Sequence, residues 1–206
     1  MMTPPSPRVL IVGAAAVVAA GLLGAGAWFW SASAQHRAME VHAAALTRAQ
    51  PAQASQATPD VKAAAIRDLE AALTQYPSGP GAPQVAYQLG NLRYDAQQYG
   101  QARGAYEIAL AKGASGTLRV LSQAGVVYTW EAERDYAKAV EAARDALAGL
   151  GPKDFYYEEL LLALGRAQEL AGQKAEALAT YRRALSELTQ TRRAAEIRAR
   201  VAALGG

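Results

Sequence analysis

The chain has 206 residues, no cysteine, and 21 basic against 18 acidic side chains, a net charge of +3. Without cysteine there is no disulfide, no thiol nucleophile and no site for a lipoprotein's acyl group. The near balance of charge does not argue for nucleic acid.

Residues 1–8 read as a cytoplasmic tail carrying one cation, Arg8. Val9 to Trp30 is a run of 22 residues without a charge. As a helix it reaches about 33 Å, against roughly 30 Å of bilayer hydrocarbon. Trp28, Phe29 and Trp30 close it like an interfacial aromatic belt. Residues 9–30 are therefore expected to be a transmembrane anchor, with the rest of the chain outside the cytoplasm. The alternative is a signal peptide cleaved after Ala34, at Ala32-Ser33-Ala34, but the run is longer than a typical signal core. Ala16, Ala20 and Gly24 lie on one face, as small residues do where membrane helices touch; an alanine-rich composition explains them equally.

Residues 31–59 read as a membrane-proximal helix and loop. Ser33 to Gln50 is helical, with Met39, Ala43 and Leu46 as its apolar side. Pro51 to Pro59 is a polar loop without pattern, and Asp60 caps the next helix.

Residues 60–188 repeat. Ala65, Ala102, Ala139 and Ala177 are 37, 37 and 38 residues apart, a period of stacked supersecondary units. Each unit is expected to be two short helices, the second unit running from about Pro83 to Gln97 and from about Gly100 to Lys112. Leu89-Gly90, Ala124-Gly125 and Leu164-Gly165 open the units. Glycine inside a helix costs about 1 kcal/mol against alanine, so these three are expected at close helix contacts. Tyr106 and Tyr181 follow the second-helix alanines by one turn and fill the space between units. Ala143 replaces the tyrosine in the third unit, where a thinner interface is expected, and Gly149 to Pro152 reads as a stretched turn. The pattern resembles the tetratricopeptide repeat family over residues 60–188. The resemblance implies an all-α solenoid of helix pairs, here behind a single N-terminal transmembrane helix.

Residues 189–206 read as a capping helix, Arg192 to Leu204, with Thr191 as its cap; repeat arrays need a polar closing element. The arginines there, with Arg182 and Arg183, read as a solvated face.

No catalytic arrangement is found. His36 and His42 are too far apart to share a metal. There is no phosphate loop and no nucleophile elbow. Glu158 and Glu159 point to different sides of a helix. The expectation is a non-enzyme with no cofactor, no metal, no nucleic acid and no small-molecule substrate. What remains is the face built by the first helices of each unit. It is expected to present Tyr87, Asn91, Tyr94 and Asp95, then Arg119, Ser122, Thr129 and Trp130, then Glu159, Leu162, Arg166 and Glu169. Tyr, Trp and Arg are enriched in binding hot spots. Tyr94, Arg119, Trp130 and Arg166 are the expected contacts on this concave face, with Tyr87 and Asn91 as supports.

The layout of one anchor and a small array resembles the YfgM-like family of bacterial inner-membrane proteins. That resemblance implies a periplasmic scaffold ancillary to the Sec translocon, with periplasmic chaperones as partners. Gln75-Tyr76-Pro77 and Ala82-Pro83 also resemble the repeat protein that coordinates the Tol-Pal system, which has no anchor. A non-catalytic subunit of cytochrome c maturation or pilus assembly is a further alternative.

Overall fold

The computed structural model describes the backbone from Pro7 to Gly206 and side chains from Trp28 onward. Nine α-helices follow one another among the described residues, without a strand: α1 Pro7–Ala49, α2 Pro59–Gln75, α3 Ala82–Asp95, α4 Tyr99–Ala111, α5 Gly116–Ala132, α6 Tyr136–Leu147, α7 Tyr157–Leu170, α8 Lys174–Glu187 and α9 Ala194–Ala203. Each packs on the next in sequence, and first helices also meet first helices, α1 on α3, α3 on α5 and α5 on α7. That pattern is a solenoid: four helix pairs, closed by α9.

The expected tail at 1–8 and the expected span at 9–30 lie, as far as Ala27, outside the residues whose side chains are described, and so does the small face of Ala16, Ala20 and Gly24. Among the described residues no helix is long and apolar enough to cross a membrane. Trp28, Phe29 and Trp30 stand 70–73 % exposed on α1.

Alanine explains how α1 docks. Its buried face is Ala38, His42, Ala45 and Ala49, not Met39, Ala43 and Leu46. Met39 is exposed, Ala43 is exposed and Leu46 is half-buried. Close approach of backbones selects small side chains, so the more hydropathic stripe is not the one that packs. The α2–α3 turn presses on this face: a Cβ added to Gly81 would lie 2.7 Å from the His42 Cβ. His42 Nε2 donates to the Tyr76 carbonyl at 2.9 Å.

The loop before α2 is also more ordered than its polarity implies. Gln50–Gln53 form a 3₁₀ turn that buries Ala52. Thr58, not Asp60, caps α2: its backbone is extended, its hydroxyl accepts from the Val61 N–H, and Pro59 takes the first helical position. Asp60 sits in the first turn, where its charge suits the helix dipole. At the other end α9 begins two residues later than expected, at Ala194, with Arg193 at the N-cap position and making no side-chain cap. The Thr191 hydroxyl accepts from Arg193 N at 3.0 Å and donates to Glu158 at 2.5 Å.

Three turns inside the pairs share one geometry. Gln97, Arg134 and Gly172 are all left-handed, with φ of 59°, 62° and 78°. In each, the left-handed residue and its successor donate N–H bonds back to carbonyls near the helix end, as Gln98 N does to Arg93 O at 2.8 Å and Asp135 N to Trp130 O at 3.0 Å. These are Schellman ends. Gln97, Arg134 and Gly172 lie 37 and 38 residues apart, matching the alanine spacing.

That geometry corrects the register of the third unit. Counting back from the turns, the equivalent of Gly90 and Gly165 is Val127, not Gly125. Gly90 and Gly165 each lie against the tyrosine of their own unit: a Cβ there would come within 2.5 Å of the Tyr106 ring and 2.7 Å of the Tyr181 ring. In the third unit the pair is Val127 and Ala143, both fully buried in one core cluster. The large and small partners have exchanged places. Leu160, Leu161 and Leu164 of α7 fill the same cluster. Gly125 serves another purpose. A Cβ there would meet the far edge of Tyr106 at 2.6 Å, so Tyr106 is a wedge held between glycines of two successive units.

Candidate binding cleft on the first-helix face

Tyr87, Asn91 and Tyr94 of α3 fall at i, i+4 and i+7, one face of a helix. Leu121, Gly125 and Tyr128 of α5 repeat that spacing. The two rows flank a cleft of about 220 Å³, floored by Tyr106 and closed at one end by Tyr156. Asn91 accepts a hydrogen bond from the Tyr106 hydroxyl at 2.9 Å. The Tyr128 hydroxyl donates to that of Tyr156 at 3.4 Å. Tyr87 leans on Tyr106 with ring centres 5.9 Å apart, and Tyr94 meets Tyr99 edge-on at 5.3 Å. No charged side chain lines this cleft.

Burial raises the pKa values of Tyr94, Tyr106 and Tyr128 above the ordinary phenol, with neighbouring phenols adding to the effect at all three. These hydroxyls stay protonated, and so remain donors, at any physiological pH.

Tyr156 is placed by an unusual backbone. It caps α7 with φ 67° and ψ 7°, a left-handed conformation that costs a non-glycine residue about 1 kcal/mol or more. The stretched turn before it is braced by the Asp154 carboxylate, which accepts from Gly151 N at 2.6 Å.

The next cleft along is different in kind. It is lined by Leu162, Arg166 and Tyr181 with Arg193, Glu196, Ile197 and Arg200, and holds about 120 Å³. Arg166 grips Glu131 of α5 with two bonds, 2.8 and 3.2 Å. Burial is the largest influence and disfavours its charge, but the bond to Glu131 and its charge, with smaller contributions from Tyr128 and Tyr181, together raise its pKa. Arg200 reaches Glu169 at 3.4 Å. The inner face thus divides into a neutral tyrosine cleft and an ion-paired one.

Of the residues read from the sequence, Tyr87, Asn91 and Tyr94 come together and Arg166 lines the neighbouring cleft. Arg119 and Trp130 do not join them. At about 100° per residue, both lie roughly opposite Tyr128 on α5. Arg119 is exposed. Trp130 is held between α4 and α6, with the Arg103 guanidinium 3.4 Å from its ring centre and Lys138 Nζ at 4.4 Å. Ser122 and Thr129 are buried and donate to carbonyls of their own helix. All four follow from the two-residue error of register at Gly125. Counted from the turns, the third unit's face is Ala124, Tyr128 and Glu131. The sequence reading missed Tyr128, Tyr106 and Tyr156 as cleft residues. The alanine period carried the signal for Tyr128; a left-handed tyrosine leaves none.

No family model and no curated protein matches the chain. Solved structures do. Two crystal structures of nearly identical TPR-like repeats, from a Podosopora anserina protein described as kinesin light chain-like, each cover 82 % of this chain. The first covers 84 % of its own chain at TM-score 0.60, the second 94 % at 0.54, both at 18 % identity. The fold is that of TPR-like repeats. In this TPR-like array the helix-pair expectation for the repeats stands, while 18 % identity carries the fold alone.

Proposed function

We propose that this chain is a non-catalytic scaffold that binds protein through the first-helix face of its TPR-like array. The observation that carries this is the cleft between α3 and α5, where the partly exposed Tyr87, Tyr94 and Tyr128 surround Asn91, whose carbonyl oxygen is taken by Tyr106 and whose amide N–H groups face no bonded side chain among the described residues. Tyrosine supplies large contact area at small entropic cost and dominates many binding hot spots. We further propose that residues 9–30 hold the array at a bacterial inner membrane with the repeats in the periplasm, beside the Sec translocon or other envelope machinery. The uncharged run and the exposed Trp28, Phe29 and Trp30 support that placement.

Cross-linking in intact cells, followed by purification and mass spectrometry, tests the scaffold. Partners captured by the wild type should be lost from a folded Tyr87→Ala, Tyr94→Ala, Tyr128→Ala triple variant. An unchanged partner set from that variant would move the binding surface elsewhere. Alkaline carbonate extraction tests the anchor: the chain should stay with the membranes, and release of a shortened chain would mean cleavage after Ala34.

A further inference from the structure

We propose that the tyrosine cleft between α3 and α5 takes a proline-rich segment of a partner protein in the polyproline II conformation. This rests on the protein-binding reading above and names the class of polypeptide.

Three observations converge. The first is size and charge. At about 220 Å³ the cleft is smaller than the roughly 300 Å³ at which sites begin to enclose a drug-sized molecule. It suits a few rings of a chain passing across it. With no charged residue in its lining, it offers little to an acidic or basic peptide, and in the neighbouring cleft Arg166 is taken by Glu131 and Arg200 by Glu169.

The second is the balance of donors and acceptors. The Tyr106 hydroxyl donates to the Asn91 carbonyl oxygen, which leaves the Asn91 amide with its two N–H groups to offer. Tyr128 donates to Tyr156, which leaves the Tyr156 proton to offer. The Tyr94 phenol, like any phenol at neutral pH, keeps its proton to offer. The cleft is therefore rich in donors and has no carboxylate. A polyproline II segment is the complementary strand: it has no internal hydrogen bonds, its prolines have no N–H, and its carbonyls all need donors. An ordinary extended strand would also bring N–H groups, for which the cleft offers only phenol oxygens and the Asn91 carbonyl, already engaged by Tyr106. Proline rings also pack on aromatic faces, and aromatic-lined grooves are how polyproline II ligands are held elsewhere.

The third is the backbone of Tyr156. A left-handed aromatic residue is strained, and such strain persists where surrounding structure holds it for a purpose. Here it sets the Tyr156 ring in the cleft lining beside Tyr128, so that the cleft has aromatic walls from α3, α5 and the α6–α7 turn.

The test uses the full chain in detergent and three synthetic probes of equal length: an oligoproline peptide, a glycine–serine peptide and an alternating lysine–glutamate peptide. Binding is read by calorimetry. Oligoproline should bind and the other two should not. Tyr94→Ala and Tyr156→Gly should each weaken oligoproline by about tenfold or more, the scale of a hot-spot loss. Tyr156→Gly relieves the left-handed strain but removes a ring that packs on the core, so its melting curve is recorded beside the titration and binding is scored on the folded variant. Oligoproline that fails to bind the folded wild type, or binds a folded Tyr156→Gly variant equally well, overturns the inference. Tighter binding of either other peptide overturns the proline class while leaving the scaffold reading intact. That reading falls on its own evidence, if cross-linked partners persist in the triple tyrosine variant.

Discussion

Gln97 and Arg134 hold side chains in the left-handed backbone that Gly172 adopts in the equivalent turn. A Cβ in that conformation is strained by about 1 kcal/mol, less the entropy glycine loses on folding. Arg134→Gly should therefore raise the unfolding free energy by about 0.5 kcal/mol, and Gly172→Ala should lower it by about 1 kcal/mol. Urea unfolding of the two variants measures both; a stabilising Gly172→Ala would contradict the shared turn. Trp130 is the other informative residue. Sandwiched between Arg103 and Lys138, it ties α5 to α4 and α6 on the side away from the cleft. Trp130→Ala should cost about 2 kcal/mol or more, from lost cation–π contact and packing. Peptide binding by the fraction that remains folded should be unchanged. Loss of binding without loss of stability would return Trp130 to the binding surface.

Pairs of helices are held by complementary volumes, and these can be exchanged. Gly90 with Tyr106 and Gly165 with Tyr181 are small against large; Val127 with Ala143 is the reverse. Ala143→Tyr alone should overpack the third unit by about 1–3 kcal/mol. Val127→Gly alone should leave a void and a mid-helix glycine, costing about 2–3 kcal/mol. Together they recreate the pair found in the units on either side, but the buried Ala163 stands where the next unit would need a receiving glycine, so the double variant should be more stable than the sum of the singles by only about 1 kcal/mol. Additive losses in a chemical denaturation cycle would show that the two positions do not meet. The same exchange explains what the sequence concealed. The second-helix alanines were legible because burial against a neighbouring backbone admits little else there, and their spacing placed every unit. The first-helix glycines misled because glycine serves two geometries, one under its own tyrosine and one under the preceding unit's. The error moved the third unit's face by two residues and set Arg119 and Trp130 in place of Tyr128. On α1 hydropathy chose Met39 and Leu46, whereas close approach chose Ala38, Ala45 and Ala49. Tyr87, Asn91 and Tyr94 were legible because α3 has no such ambiguity.

Over the whole molecule the buried phenols set an alkaline limit. Burial, and then the charge of Glu169, raise the Tyr181 pKa from 10.0 to about 12, and Tyr106 and Tyr128 are raised as well, chiefly by burial. Below about pH 10 these hydroxyls are protonated whether the chain is folded or not, and their contribution is complete. Above it the unfolded chain ionises while the folded one keeps its protons, so stability falls as pH rises through about 12. Denaturation midpoints should be flat from neutral pH to about 10 and then drop, with tyrosinate absorbance appearing together with unfolding. Tyrosinate forming in a chain that remains folded would mean the phenols are accessible. The apolar core itself falls into three parts, one built from α1 to α4, a small one around Ala86, Ala109 and Ala114, and one from α5 to α9, and Tyr106 stands between α3 and α5, its two edges against Gly90 and Gly125. The units are therefore not interchangeable beads. A unit bearing a tyrosine at the position of Tyr106 can be followed only by one with a glycine at the position of Gly125, so the array carries its own word order. Duplicating, deleting or transposing a unit breaks that order at the seam even when each unit is intact. Such an array can lengthen only by steps that carry the tyrosine and its receiving glycine together.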